Sequence, residues 1–316
     1  MSDFGGLQID VGGVVLDSPV IIASGVWPMD PSMWPEASLK GIGAICSKGT
    51  TLEPREGNRG KRICETHCGL LNSIGLQNGG SVSFVQNDLP ALASSGKPVI
   101  ANIAFETLEE LRQIIERLNS ERDLIGALEM NVSCPNVSMG GMSWGVDMDS
   151  LERAVTEARC KWRGPLWVKL SPQAPSIAVA ARICEASGAQ AIVVGNTWLG
   201  MAIDNDREEP FFERIFAGLS GPAIFPLSLR LVWEAVASVN IPVVGCGGIC
   251  GPDEALSMFL AGASAVAVGT GLFLDSSLPV SICFKLSRHM ENRAIANIKD
   301  LVGRGRHFRG ETGVAG

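Results

Sequence analysis

A (β/α)8 barrel preceded by a β-hairpin is the α/β fold class that this 316-residue chain predicts, on three observations. Eight short apolar runs recur, each ending in small or polar residues. Helix-period patterns fall between them, and a weak repeat sets glycine ahead of several runs. The runs are 19–25, 44–50, 98–104, 127–134, 165–172, 191–197, 241–248 and 265–271. Unbroken apolar character over so short a length marks strands buried on both faces, as in a parallel sheet.

Before the first run, residues 7–17 carry Gly12-Gly13 at their centre and read as a hairpin closing the bottom of the barrel. Between the runs, Thr107-Leu108-Glu109-Glu110 is a capping box, with Leu108, Leu111, Ile115 and Leu118 forming one apolar face. Asp149 and Glu152 repeat that start signal ahead of Leu151, Ala154, Val155 and Ala158. The segments Gly41-Ile42-Gly43-Ala44-Ile45, Gly188-Ala189-Gln190-Ala191-Ile192 and Gly262-Ala263-Ser264-Ala265-Val266 place glycine where a helix should end before a strand. Eight such units fit one barrel domain over residues 1–316, with a doubly wound open sheet as the alternative. The basic, glycine-rich tail 303–316 is expected to be loosely held.

Composition narrows the functions. Apolar residues make up 46% of the chain and charged residues 19%, enough for a large core. A net charge of −7 and a pI near 5.1 argue against nucleic acid as the main ligand. No apolar run reaches the roughly 20 residues that span a bilayer. The start, Met-Ser-Asp-Phe-Gly-Gly, lacks a basic segment and a hydrophobic core, so a cytoplasmic protein with no membrane association is expected. The nine cysteines then read as reduced thiols. Cys64 and Cys68 with His67 between them, and Cys246 with Cys250, do not match the spacing of common zinc or iron–sulfur sites, and no metal is expected. None of the three histidines, His67, His289 and His307, ends a predicted strand.

Polar residues collect at the C-terminal ends of the runs, where a barrel of this type builds its site. These ends carry Ser24, then Lys48 and Gly49, Asn102, Asn131 and Cys134, Lys169, and Asn196 with Thr197. Lys48 and Lys169 lie in otherwise apolar surroundings, and a buried ammonium needs an anion or acceptors. The last two runs end in Gly247-Gly248 and Gly269-Thr270, whose backbone amides suit a phosphate, though glycine equally serves tight turns. No P-loop or Rossmann glycine fingerprint is present. With no histidine at a strand end, a proton-transfer role falls to Cys134 or a lysine.

The segments Asn72-Ser73-Ile74-Gly75-Leu76-Gln77-Asn78, Asn131-Val132-Ser133-Cys134-Pro135-Asn136, Lys169-Leu170-Ser171-Pro172 and Gly218-Leu219-Ser220-Gly221-Pro222-Ala223-Ile224 together resemble the dihydroorotate dehydrogenase family. Gln77 and the loop 137–141 are closer to its class 1B, the catalytic subunit of an NAD-linked enzyme. The sequence departs from that pattern at Gly79, Gln173, Gly195 and Ala217. The resemblance implies a bound FMN, with its phosphate on Gly221, Gly247, Gly248, Gly269 and Thr270. Ser24, Lys48, Gly49, Asn102, Asn131, Lys169 and Gly195 would line its ring and ribityl. It implies dihydroorotate held by Lys48, Asn72, Ser73, Ile74, Gly75, Leu76, Asn131, Asn136, Asn196 and Thr197, with Cys134 as base and the loop 137–146 closing over it. A homodimer is implied, and a heterotetramer with a partner subunit bearing FAD and a [2Fe-2S] cluster. Other readings are a dihydropyrimidine dehydrogenase-like enzyme, a tRNA dihydrouridine synthase, for which a basic RNA-binding domain is missing, and a non-catalytic barrel.

Overall fold

The computed structural model describes residues 4–34, 39–133 and 144–307. Eight parallel strands close into a barrel: β1 (Val20–Ile22), β2 (Ala44–Cys46), β3 (Val99–Ile103), β4 (Ala127–Asn131), β5 (Leu166–Leu170), β6 (Ala191–Val194), β7 (Val243–Cys246) and β8 (Ala265–Val268). They pair in chain order, and β8 returns to β1 with Val266 opposite Val20. Each strand lies inside one of the eight apolar runs. Every strand residue except Asn131 is buried, which is why the runs show no two-residue alternation.

The hairpin Ile9–Val11/Val14–Leu16 does alternate, burying Ile9, Val11, Val14 and Leu16 while exposing Asp10 and Val15. Its turn packs against Pro165 and Gln190, just ahead of β5 and β6, so it closes the N-terminal end of the barrel. The outer helices include Leu108–Asn119, Met148–Lys161, Ile177–Ala186, Phe225–Val236, Pro252–Ala261 and Leu278–Glu291. Thr107 caps the first, its Oγ1 accepting from the Glu110 N–H at 3.1 Å. The Glu110 carboxylate, however, reaches the Glu106 N–H rather than that of Thr107. The second helix starts earlier than its sequence suggested. Asp147 is its cap, accepting from the Ser150 N–H at 2.8 Å, and Asp149 sits within the first turn. Gly262 ends the helix Pro252–Ala261 in left-handed backbone, as the glycine repeat required.

Two insertions interrupt the alternation. The chain after β2 forms the strands Ile63–Thr66 and Gly69–Asn72, and the chain after β6 forms Trp198–Met201 and Phe216–Ser220. They join as one antiparallel sheet in the order Trp198–Met201, Phe216–Ser220, Gly69–Asn72, Ile63–Thr66. Leu71, Phe212 and Ala217 form its own small core. The helical segment after β2 is broken by a π-turn over Phe84–Asp88. The start of the tail is docked rather than loose: Arg306 stacks on Trp233 at 4.1 Å and donates to the carbonyls of Trp233 and Ala261. Residues 308–316 lie outside the described residues. Among the described residues no helix is long and apolar enough to cross a membrane.

Candidate functional site at the barrel mouth

The core of the site is a buried ion pair. Lys169, in β5, has its Nζ 3.9 Å from Glu129 Oε1 in β4, and the two side chains are only 5% and 6% exposed. The ammonium also donates to Ser24 Oγ, beyond the end of β1, at 3.4 Å. The same Glu129 oxygen accepts from Asn102 Nδ2 at 2.5 Å and from the Cys46 thiol at 3.3 Å. Burial alone would depress the Lys169 ammonium, but Glu129 raises its pKa above the ordinary lysine value. Burial pushes the Cys46 and Cys246 thiols up, so both are neutral wall atoms.

Glu129 was missed in the sequence. It sits in a strand otherwise made of Ala127, Leu128, Met130 and Asn131, and was read as part of an apolar run. A lone carboxylate among residues of that kind must have a buried partner, and that signal could have found it.

With its amide nitrogen engaged by Glu129, Asn102 leaves its Oδ1 buried without a partner among the described residues. Gly49 lies beside that oxygen, and a Cβ at Gly49 would come within 3.0 Å of it. An unpaired buried acceptor is costly, so this one fits a ligand N–H or O–H. On the other side of the mouth, Asn131 Oδ1 accepts from Asn196 Nδ2 at 3.2 Å, and Asn196 Oδ1 accepts from the Thr197 N–H at 2.8 Å. Gly195, joined to Val194 by a cis peptide, donates to the Cys246 carbonyl.

The antiparallel sheet brings in the next residues. Asn72 Nδ2 donates to the Gly218 carbonyl at 3.1 Å, and the Thr197 hydroxyl packs onto the Gly218 Cα. Asn72, Thr197 and Gly218 therefore meet on one face. Gly75 and Leu76 both take positive φ, and their N–H groups donate to no described residue. At Ser73 and Ile74, the Ser73 hydroxyl accepts from Asn58 Nδ2 at 2.9 Å and the Ile74 carbonyl accepts the Asn58 N–H. These contacts shape the turn, and the Ile74 N–H donates to no described residue. Lys48 is half-buried, and its ammonium has no hydrogen-bond or ion-pair partner among the described residues. Burial, then the nearby Arg62, lowers its pKa against an opposing pull from Asp88.

Beyond β7 and β8 the backbone forms a cradle. The N–H groups of Gly221, Gly247, Gly248, Gly269 and Thr270 donate to no described residue, which leaves five donors at neighbouring turns. Gly248 is obligatory there, since φ is +75° and a Cβ would lie 2.5 Å from the backbone N and Cα of Phe225. Thr270 Oγ1 donates to Ser220 Oγ at 2.8 Å, tying the β8 turn to the antiparallel sheet beside Gly221. Cys134, Asn136 and most of the loop 137–146 lie outside the described residues.

A parallel eight-stranded barrel with a fixed ammonium, an orphaned amide oxygen and an amide cradle at its C-terminal mouth defines a barrel enzyme whose mouth presents donors suited to an anion. A family model, Dihydroorotate dehydrogenase, matches residues 6–290. The chain is 40% identical over 297 residues to "Dihydroorotate dehydrogenase B (NAD(+)), catalytic subunit" of Thermoanaerobacter sp. (strain X514), covering 94% of this chain and 98% of that one. Proteins of the same name from Geotalea uraniireducens and Geobacter sulfurreducens are each 41% identical, over 94% of this chain and 97% of theirs. The chain belongs to the dihydroorotate dehydrogenase family and is an oxidoreductase. These names do not favour the dihydropyrimidine dehydrogenase alternative.

Proposed function

We propose that this chain is one FMN-binding barrel domain that oxidises (S)-dihydroorotate to orotate in pyrimidine biosynthesis, as the catalytic subunit of an NAD-linked enzyme. The observation carrying this reading is the buried Lys169–Glu129 pair set beside the unpartnered Asn102 Oδ1. A flavin fits that donor set: it offers N–H and ribityl O–H groups to the orphaned oxygen, a phosphate to the five free amides, and an edge that becomes anionic on reduction to the ammonium. Gly221, Gly247, Gly248, Gly269 and Thr270 would hold the phosphate. Ser24, Lys48, Gly49, Asn102, Asn131, Lys169 and Gly195 would hold the ring and ribityl. When bound, FMN supplies the acceptor for the hydride that leaves C6 of the substrate.

The chain's own residues do the rest. Asn72, Asn131, Asn136, Asn196 and Thr197 present amide and hydroxyl groups to the substrate ring, which carries both donors and acceptors. The free N–H groups of Gly75 and Leu76, together with Lys48, suit its carboxylate. Cys134, three residues after β4 in the sequence, takes the C5 proton on its thiolate, so that loss of that proton and of the C6 hydride leaves orotate. The Lys169 ammonium holds positive charge where negative charge develops. Electrons pass to NAD through a second subunit bearing FAD and a [2Fe-2S] cluster, within a heterotetramer built on a homodimer of this chain, in the cytoplasm.

The test is the visible spectrum of the purified protein. Flavin bands that bleach anaerobically with dihydroorotate, and not with dihydrouracil, are the expected result. A colourless protein, or bleaching by dihydrouracil alone, overturns the assignment.

A further inference from the structure

The mouth holds one buried carboxylate that the proposed chemistry does not use. Glu129 lies one layer below the substrate-facing groups: it sits in β4 two residues before Asn131, on the same face of the strand, and its Oε1 is taken up by its neighbours. Its Oε1 accepts from two donors on two other strands, the Cys46 thiol of β2 and the Asn102 amide of β3, and faces the Lys169 ammonium of β5 as an ion pair at 3.9 Å. Two hydrogen bonds and one ion pair converging on a single oxygen describe a carboxylate held in one orientation.

The direction of dependence follows from burial. Lys169 faces Glu129 from β4, Cys46 from β2 and Cys246 from β7, and both thiols are held neutral by burial. Glu129 is therefore the carboxylate that offsets the desolvation of the ammonium. Ser24 adds a neutral acceptor at 3.4 Å, which orients the ammonium but does not balance its charge. Without a carboxylate beside it, a fully buried lysine sheds its proton, since desolvation disfavours the charged form.

Resting on the function proposed above, we propose that Glu129 is a positioning residue for the reaction: it holds the Lys169 ammonium charged and in place for the electron-rich edge of the reduced cofactor. Glu129 acts through Lys169 and meets neither substrate nor hydride. It also draws the Asn102 amide nitrogen inward and so turns Asn102 Oδ1 toward Gly49 and the mouth.

The experiment is a potentiometric titration of protein-bound FMN as a function of pH, on the holoenzyme and on Glu129→Gln, which keeps size and hydrogen-bonding capacity but not charge. In the wild type Lys169 stays protonated in both redox states and adds nothing to the pH slope. In Glu129→Gln the lysine releases its proton in the oxidised enzyme and regains it on reduction. One extra proton per two electrons makes the potential fall more steeply, by about 30 mV per pH unit, the two-electron equivalent of a tenfold change. Glu129→Asp, which restores the charge, should restore the wild-type slope.

A Glu129→Gln enzyme that binds FMN with an unchanged slope overturns the proposal and leaves the proposed function intact. A wild-type protein without flavin removes both. If Glu129→Gln does not fold, Glu129→Gln combined with Lys169→Gln, which removes both buried charges, must fold. Failure of that pair shows a need for Glu129 apart from the lysine, and likewise overturns the proposal.

Discussion

Gly248→Ala should strip the protein of FMN while leaving the barrel intact. Two costs combine at this position. Backbone at φ +75° disfavours an L-residue by roughly 1–2 kcal/mol. A methyl group 2.5 Å from the Phe225 backbone N and Cα adds an overpacking cost of about 1–3 kcal/mol, because no side-chain rotation can relieve a clash with main chain. The apoprotein can shed this strain by moving the turn away from the helix Phe225–Val236. The holoprotein cannot, if the Gly247 and Gly248 amides are to meet the phosphate. The strain of about 2–5 kcal/mol then comes out of the binding free energy, and at 1.4 kcal/mol per tenfold FMN affinity falls by roughly 30-fold to a few thousandfold. Fluorescence titration of the apoprotein with FMN reads this directly, and a melt without FMN reports the barrel. Gly96→Ala is the control: its φ is +69°, but its Cβ would meet open space at the far end of β3. That variant should lose some stability and no FMN affinity. A Gly248→Ala protein with wild-type FMN affinity refutes the argument.

Cys134→Ala should stay yellow and lose turnover by about 100-fold or more, the usual worth of a positioned base, whereas Cys134→Ser should recover part of it at high pH. Steady-state rates against pH check both, and the wild-type rate should climb with pH until the thiol is ionised. Gly218→Ala would drive a methyl into the Thr197 hydroxyl and to 3.4 Å from Asn72 Nδ2. The KM for dihydroorotate should rise by about tenfold or more while FMN content holds; loss of FMN with unchanged KM would contradict the placement of Asn72 and Thr197. Lys48 has its pKa lowered by burial and Arg62. Its positive charge is complete at neutral pH and disappears, as pH rises, earlier than in an ordinary lysine. The KM for the anionic substrate should therefore climb with alkaline pH below the usual lysine range, and a flat KM through that range would count against Lys48 as the carboxylate's partner.

The barrel was legible because a parallel strand buried on both faces leaves a mark that no other element of this length leaves: an unbroken apolar run closed by small or polar residues. All eight strands fall within the runs so marked. The hairpin was legible from Gly12-Gly13 at its centre, which take the positive φ of the turn between the two short strands. The antiparallel sheet was not. Its strands, Gly69-Leu70-Leu71-Asn72 among them, are short, glycine-bearing and mixed in character, and what makes them strands is each other, across more than a hundred residues of chain. The site was read from its rim, where polar residues follow apolar runs, and so Lys169, Asn102 and the glycine turns were found. Glu129 was overlooked because one carboxylate barely alters the apolar character of a strand, although its burial shapes the whole centre. Asp147 was passed over for Asp149 as a cap because the two lie so close that only backbone geometry separates them.

The antiparallel sheet has one more consequence. Its two halves spring from strands on opposite sides of the ring, β2 and β6, so it spans the opening as a crossbar. Aperture is then governed by ladder register: Asn72 stands opposite Gly218, and Thr197 shares that face. Inserting or deleting a single residue in either half would rotate one of those two side chains away from the other. Changes of length should accordingly be tolerated within 205–208, the turn between the paired Ile203-Asp204 and Glu209-Pro210, and be ruinous within the ladder strands themselves.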